Sequence, residues 1–149
     1  MRMHRVGRSG LQVSELCLGC MSFGEPDKGG HPWTLPKEDS RAILRQAIEA
    51  GINFLDTANV YNRGRSEEVV GRALRQNGKR GQIFLATKVH GVMSDTDVLA
   101  AGNNRRHIIA ECEASLKRLQ TDYIDLYQSH RPEAQTPFAE PLRPPDDRV

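Results

Sequence analysis

Four side chains in this sequence are of types that together could deliver a proton to an oxygen: Asp56, Tyr61, Lys88 and His130. Asp56 closes the apolar run INFLD, and Tyr61 follows it in the segment DTANVY. A free phenol titrates near pH ~10 and is a poor acid at neutrality. A neighbouring ammonium favours the phenolate and so makes the phenol a better donor, and a carboxylate beside that ammonium keeps it charged. A histidine within reach can hold the acceptor oxygen in place. Such a set would polarise a carbonyl while a nucleophile arrives at its carbon. Each residue taken alone has an ordinary use: Asp56 can cap a turn, Tyr61 can pack on a helix, and Lys88 and His130 can sit in solvent. Their placement at the ends of successive apolar segments is what points to chemistry.

Those segments alternate with helical patterns. The stretch VGRSGLQVSELCLG reads as a small hairpin turning at Arg8-Ser9-Gly10, followed by a strand over 16–19. A helix over 40–50 turns Ile43, Ala47 and Ile48 inward and stops at Gly51; INFLD is the next strand. A helix over 66–76 buries Val70, Ala73 and Leu74 and stops near Gly78, and QIFLATK is a strand. Asn104 caps a third helix with the stripe Ile108, Cys112, Leu116 and Leu119, before the strand DYIDLYQSH. Strands alternating with helices imply parallel βαβ units, hence an open doubly wound sheet or a closed barrel.

No G-x-G-x-x-G follows the first strand, and GCMSFG lacks the lysine of a phosphate loop. In both parallel architectures functional groups gather at the carboxyl ends of strands. Neighbouring strands lie about 4.8 Å apart, so the four groups can converge. The period of two agrees: Phe54 with Asp56, Phe84 and Ala86 with Lys88, and Ile124, Leu126 and Gln128 with His130 each share a face. The long loop CMSFGEPDKGGHPWTLPKED carries Phe23, His31 and Trp33, which either cap a core edge or line a pocket mouth.

Composition narrows the classes. The chain has 149 residues, 38% hydrophobic with 13 glycines besides, which suits one soluble domain. Its 21 basic and 19 acidic residues leave a net charge of +2, too small an excess to argue for nucleic acid or a membrane surface. No apolar run approaches the ~20 residues of a membrane span, and MRMHRVGRSG has no apolar segment behind its charges, so a cytoplasmic protein is expected. Cys17 and Cys20 form a C-x-x-C without a second pair at metal-binding spacing; inside the run LCLGC they are expected to be buried structural thiols.

With these residues in view, the chain resembles the aldo-keto reductase family. LGCMSFG, GINFLDTANVY, GRSEEVVGRAL, ATKVHG and LKRLQTDYIDLYQSHRP resemble the N-terminal half of that family in order and spacing, over Met3 to Pro132. Similarity is greatest to bacterial members whose long first loop ends in HPWTLP. The resemblance implies the first half of a (β/α)8 TIM barrel, an α/β fold with four parallel strands and about three helices, preceded by a small β-hairpin. It also implies NADPH (NADP) as cofactor and reduction of a small-molecule carbonyl to an alcohol. By motif position Tyr61 resembles the general acid, Lys88 and Asp56 its activating pair, and His130 the carbonyl-orienting residue, with no metal. Gly19, Met21 and Asp56 match positions near the cofactor, and Phe23, Trp33, Tyr61 and His130 the substrate pocket.

A barrel of this type takes about 250 residues. The family's second half, which carries most cofactor contacts, has no counterpart in this sequence. Residues 1–132 are therefore read as a partial barrel domain and 133–149 as a proline-rich, non-helical tail, because Pro141, Pro144 and Pro145 would each cost a helix about 3 kcal/mol. Open barrel edges suggest self-association. The alternatives to a reductase are a truncated non-catalytic remnant and a regulatory or binding subunit.

Overall fold

The computed structural model describes residues 1–28, 31–133 and 136. The expected tail, with Pro141, Pro144 and Pro145, lies outside the described residues. Strand β1 (Met3–Arg5) pairs antiparallel with β2 (Gln12–Ser14), and the turn between them is closed by Val6 N donating to Leu11 O at 3.0 Å. Then follow β3 (Cys17–Gly19), α1 (Lys37–Glu49), β4 (Phe54–Asp56), α2 (Arg65–Asn77), β5 (Phe84–Val89), α3 (Arg105–Leu119) and β6 (Leu126–Ser129). Among the described residues β3 to β6 form one sheet in the order β3-β4-β5-β6, parallel throughout. The fold is α/β, with every strand-to-strand crossover made by a helix, as parallel pairing requires.

Local chemistry explains most boundaries. Helix α1 starts earlier than the sequence suggests, after Pro36, with Glu38 and Asp39 in its first turn where carboxylates favour the helix dipole. Ser40 is not its cap; the Ser40 hydroxyl donates to Pro36 O at 2.8 Å from inside the first turn. The inward row is Ser40, Leu44 and Ile48, spaced by four. Ile43, expected inside, is exposed, because that rotation leaves it on a flank of the helix. Helix α2 buries Val70, Ala73 and Leu74 as expected, and ends at Gly78 with φ 62°, a left-handed stop that favours glycine. Asn104 caps α3 by accepting from His107 N at 2.9 Å.

The stripe expected on α3 is only partly inward. Leu119 is buried, but Ile108, Cys112 and Leu116 are half-buried, and the other buried members are His107 and Ser115. The helix turns a polar line toward α2, because Arg118 pairs there with the buried Glu67. Gly71 of α2 makes the close approach possible: a Cβ there would lie 2.3 Å from Leu119 O.

The core lies between the sheet and its helices. Leu55 and Leu85 from the strands meet Leu44, Val70, Leu74 and Leu119 from the helices. The opposite face of the sheet carries Cys17, Phe54, Asp56, Phe84, Ala86 and Lys88, where Phe54 and Phe84 pack edge to face at 5.0 Å. Cys20 is buried as expected, but Cys17 is exposed. It sits on that second face, in a strand that among the described residues is paired on one side only. Among the described residues no helix is long and apolar enough to cross a membrane.

Candidate active site

Past the end of β4 the backbone does not leave β5 at once. Thr57 N donates to Ala86 O at 3.0 Å and Asn59 N to Lys88 O at 3.1 Å, which carries the DTANVY segment across the carboxyl end of β5. A tight turn follows, in which Asn62 (φ 46°), Arg63 (φ 50°) and Gly64 (φ 88°) are successively left-handed. Asparagine tolerates that region, arginine less well. The turn is held from outside: Asn62 Oδ1 accepts from Glu25 N at 2.8 Å, and Arg63 forms a two-pronged pair with Asp95 at 3.0 and 3.1 Å. The outcome is a fixed position for Tyr61.

Lys88 rises from the inner face of β5 into this corner. Its Nζ donates to Asp56 Oδ2 at 2.5 Å, to Thr57 O at 2.8 Å and to Tyr61 Oη at 3.4 Å. A lysine ammonium has three donors, and here each has an oxygen. His130 continues β6, its N–H donating to Val89 O at 2.8 Å. Its ring meets Tyr61 edge to face, with centroids 5.5 Å apart. Burial holds the His130 imidazole below its usual range, and the positive charges of Lys88 and Arg131 push the same way. At neutral pH the ring is therefore neutral, with one N–H to donate.

The four residues singled out in the sequence are thus brought together at one end of the sheet. Beside them a cleft of about 320 Å³ is lined by Met21, His31, Val60, Tyr61, His130 and Arg131, among others. Gly19 pairs in register with Asp56, and a Cβ on it would meet nothing within 4 Å. Of the two uses open to the loop aromatics, Phe23 takes the first, at the core. Phe23 does not line the cleft: it is 1% exposed and belongs to the core, drawn in by the Phe23–Leu35 bridge that folds the loop back. Trp33 is 48% exposed and stacks on His31 at 4.1 Å, so His31 is the one of the pair that lines the cleft.

The sequence profile of the Aldo/keto reductase family matches residues 15–143. The chain belongs to the aldo/keto reductase family. It is 38% identical to versiconal hemiacetal acetate reductase of Aspergillus parasiticus, covering 100% of this chain and 48% of that protein. Aldo-keto reductase YhdN of Bacillus subtilis is 41% identical over 91% of this chain and 39% of its own. A probable voltage-gated potassium channel subunit beta of rice (Oryza sativa subsp. japonica) is 38% identical over 96% and 41%. Among solved structures, the holo form of aldo-keto reductase AKR11C1 from Bacillus halodurans aligns with a TM-score of 0.78 and 39% identity, over 95% of this chain and 44% of that one. The chain spans about half the length of the curated relatives it matches. Its four parallel strands and three helices are the N-terminal half of this family's TIM barrel.

Proposed function

We propose that Asp56, Tyr61, Lys88 and His130 form the proton-delivery part of a nicotinamide-dependent carbonyl reductase. The observation that carries this reading is the Lys88 ammonium standing between the Asp56 carboxylate and the Tyr61 hydroxyl. Tyr61 donates its proton to the carbonyl oxygen, and Lys88 stabilises the charge left on the phenol oxygen. Asp56 offsets the lysine charge when the phenol is neutral. The neutral His130 imidazole donates a hydrogen bond to the same carbonyl oxygen and fixes its direction. The space over Gly19 is open and Asp56 stands beside it in register; Gly19, Met21 and Asp56 would hold the nicotinamide end of NADPH. When bound, the reduced cofactor supplies the hydride.

The test uses the full-length protein and follows NADPH oxidation with 4-nitrobenzaldehyde. Tyr61→Phe should lower turnover by roughly 10² to 10⁴, the usual contribution of a general acid, with NADPH affinity unchanged. Near-normal turnover would assign the acid to another residue. The likeness to a probable voltage-gated potassium channel subunit beta favours a second reading, a regulatory or binding subunit of another assembly. That reading calls for NADPH binding without turnover, and the same assay separates the two. Among the described residues the outer edges of β3 and β6 are unpaired, which also supports self-association of the chain. A monomer in sedimentation equilibrium would refute it.

A further inference from the structure

Behind the sheet, on the side away from the cleft, lies a group of charges that the reaction does not touch. Glu67 of α2 is fully buried, and Arg118 of α3 donates to its Oε2. The same guanidinium donates to Glu111 Oε2 at 2.9 Å and to Ser115 Oγ at 3.1 Å. If the group only fastened α2 to α3, its bonds would stay between those helices. They do not. The other oxygen of Glu67 accepts from the Thr87 hydroxyl at 2.6 Å, and Glu111 Oε2 accepts from Asn59 Nδ2 at 3.1 Å.

Both outer ends of the group lie next to the reacting set. Thr87 precedes Lys88 in β5, and neighbouring side chains of a strand point to opposite faces. Thr87 therefore faces the helices, where Glu67 accepts from it, while Lys88 faces the cleft side. Asn59 lies in the short segment between Asp56 and Tyr61. It is fully buried, and its Oδ1 has no hydrogen-bond partner, so Glu111 is the side-chain tie that orients its amide. A third contact acts on the turn after Tyr61: a Cβ on Gly64 would lie 2.7 Å from Arg118 Cδ. A glycine is required there if the arginine is to pass beneath the turn.

We propose that Glu111, held in place by Arg118, is a positioning residue for Tyr61 and acts through the Asn59 amide. Buried ion groups are poor stabilisers compared with apolar packing of the same volume, so what this one contributes is the setting of the segment that carries Tyr61. The turnover part of the test rests on the proton-transfer role given to Tyr61 above; the spectroscopic part does not.

In the full-length protein, 3-fluorotyrosine placed at position 61 reports the surroundings of that ring by ¹⁹F NMR, and turnover is measured on the unlabelled counterparts. Asn59→Ala and Glu111→Ala should each move or split the resonance and lower kcat by roughly 10-fold, since small misplacements of a reacting group are costly, while KM for NADPH stays within about twofold. Glu111→Gln, which keeps an acceptor for the Asn59 amide, should restore both the resonance and kcat. Should Glu111→Ala fail to fold, Asn59→Ala carries the test, because it leaves the pairing of Arg118 with both glutamates intact. An unchanged resonance in Asn59→Ala would overturn the inference and leave the group as a fastening of two helices. A displaced resonance with unchanged turnover would keep the positioning and refute instead the role of Tyr61 as proton donor.

Discussion

The two faces of the parallel sheet come from the same alternation along the same strands, yet they meet opposite surroundings. On the helix side Leu55, Leu85 and Thr87 are fully buried and Val89 nearly so, because α1, α2 and α3 cover them. On the other side Cys17 is exposed, Phe54 and Asp56 are half-buried, and only the central Phe84 and Ala86 are sequestered. The helix side binds the elements together; the other side carries, at the carboxyl end of its strands, groups that we propose deliver a proton. Stability and chemistry are therefore separable by which way a side chain points. Thr87 and Lys88 are adjacent in the chain and belong to different halves of that division.

The largest expected effect is on the rim. Lys88→Met in the full-length protein removes the cation beside the phenol, and turnover should drop about 10²-fold or more, with thermal stability changed far less. A variant retaining most of its turnover would break the division. Next comes the helix side: Leu85→Ala should cost about 2 to 5 kcal/mol by urea denaturation, as for buried leucines generally, with no specific effect on cofactor affinity. In this 149-residue chain Cys17→Ser, on the exposed position of the other face, should stay within about 0.5 kcal/mol; an equal loss from both would show that the two faces are packed equally tightly.

Gly71→Ala sharpens the picture of the outer layer. The added methyl meets the backbone of Leu119 and should cost about 1 to 3 kcal/mol by forcing α2 and α3 apart. The smallest effect is a pH dependence. Burial holds both His107 and His130 below their usual range, so the unfolded chain takes up protons that the folded one refuses. Stability is then fully present above the ordinary histidine range, near pH ~6.5, and declines as pH falls from there through the folded values. Melting temperatures measured from pH 7.5 to 5 should fall, and the fall should be shallower in His130→Gln. A slope of the opposite sign would mean that the rim histidine is held protonated.

Much of this was legible in the residues. The helix stop at Gly78, the cap at Asn104 and the inward row of α2 follow from local conformational preference and a period near 3.6, neither of which needs a partner. The convergence of Asp56, Tyr61, Lys88 and His130 was legible for a similar reason. Strand period fixes the face, and parallel pairing fixes the end of the sheet at which the termini of β4, β5 and β6 meet; Tyr61 arrives with the loop that leaves β4.

What the sequence could not decide was how far each element is rotated about its axis and what then covers it. Ile43 reads as inward and is not, Cys17 reads as buried and is not, and Phe23 reads as a possible pocket wall yet fills the core. Periodicity specifies a face only up to a rotation, and burial depends on which distant surface arrives to cover it. The cluster of Glu67, Glu111 and Arg118 was invisible for the same reason. Glu67 lies far in the chain from Glu111 and Arg118, on a different helix, and the charges are brought together and dried only when α2 and α3 close over β5. Local preference wrote the elements and the ends at which their reacting groups would stand; only long-range packing, which excludes water from one set of surfaces and leaves it on another, decided which of those groups are held and by what.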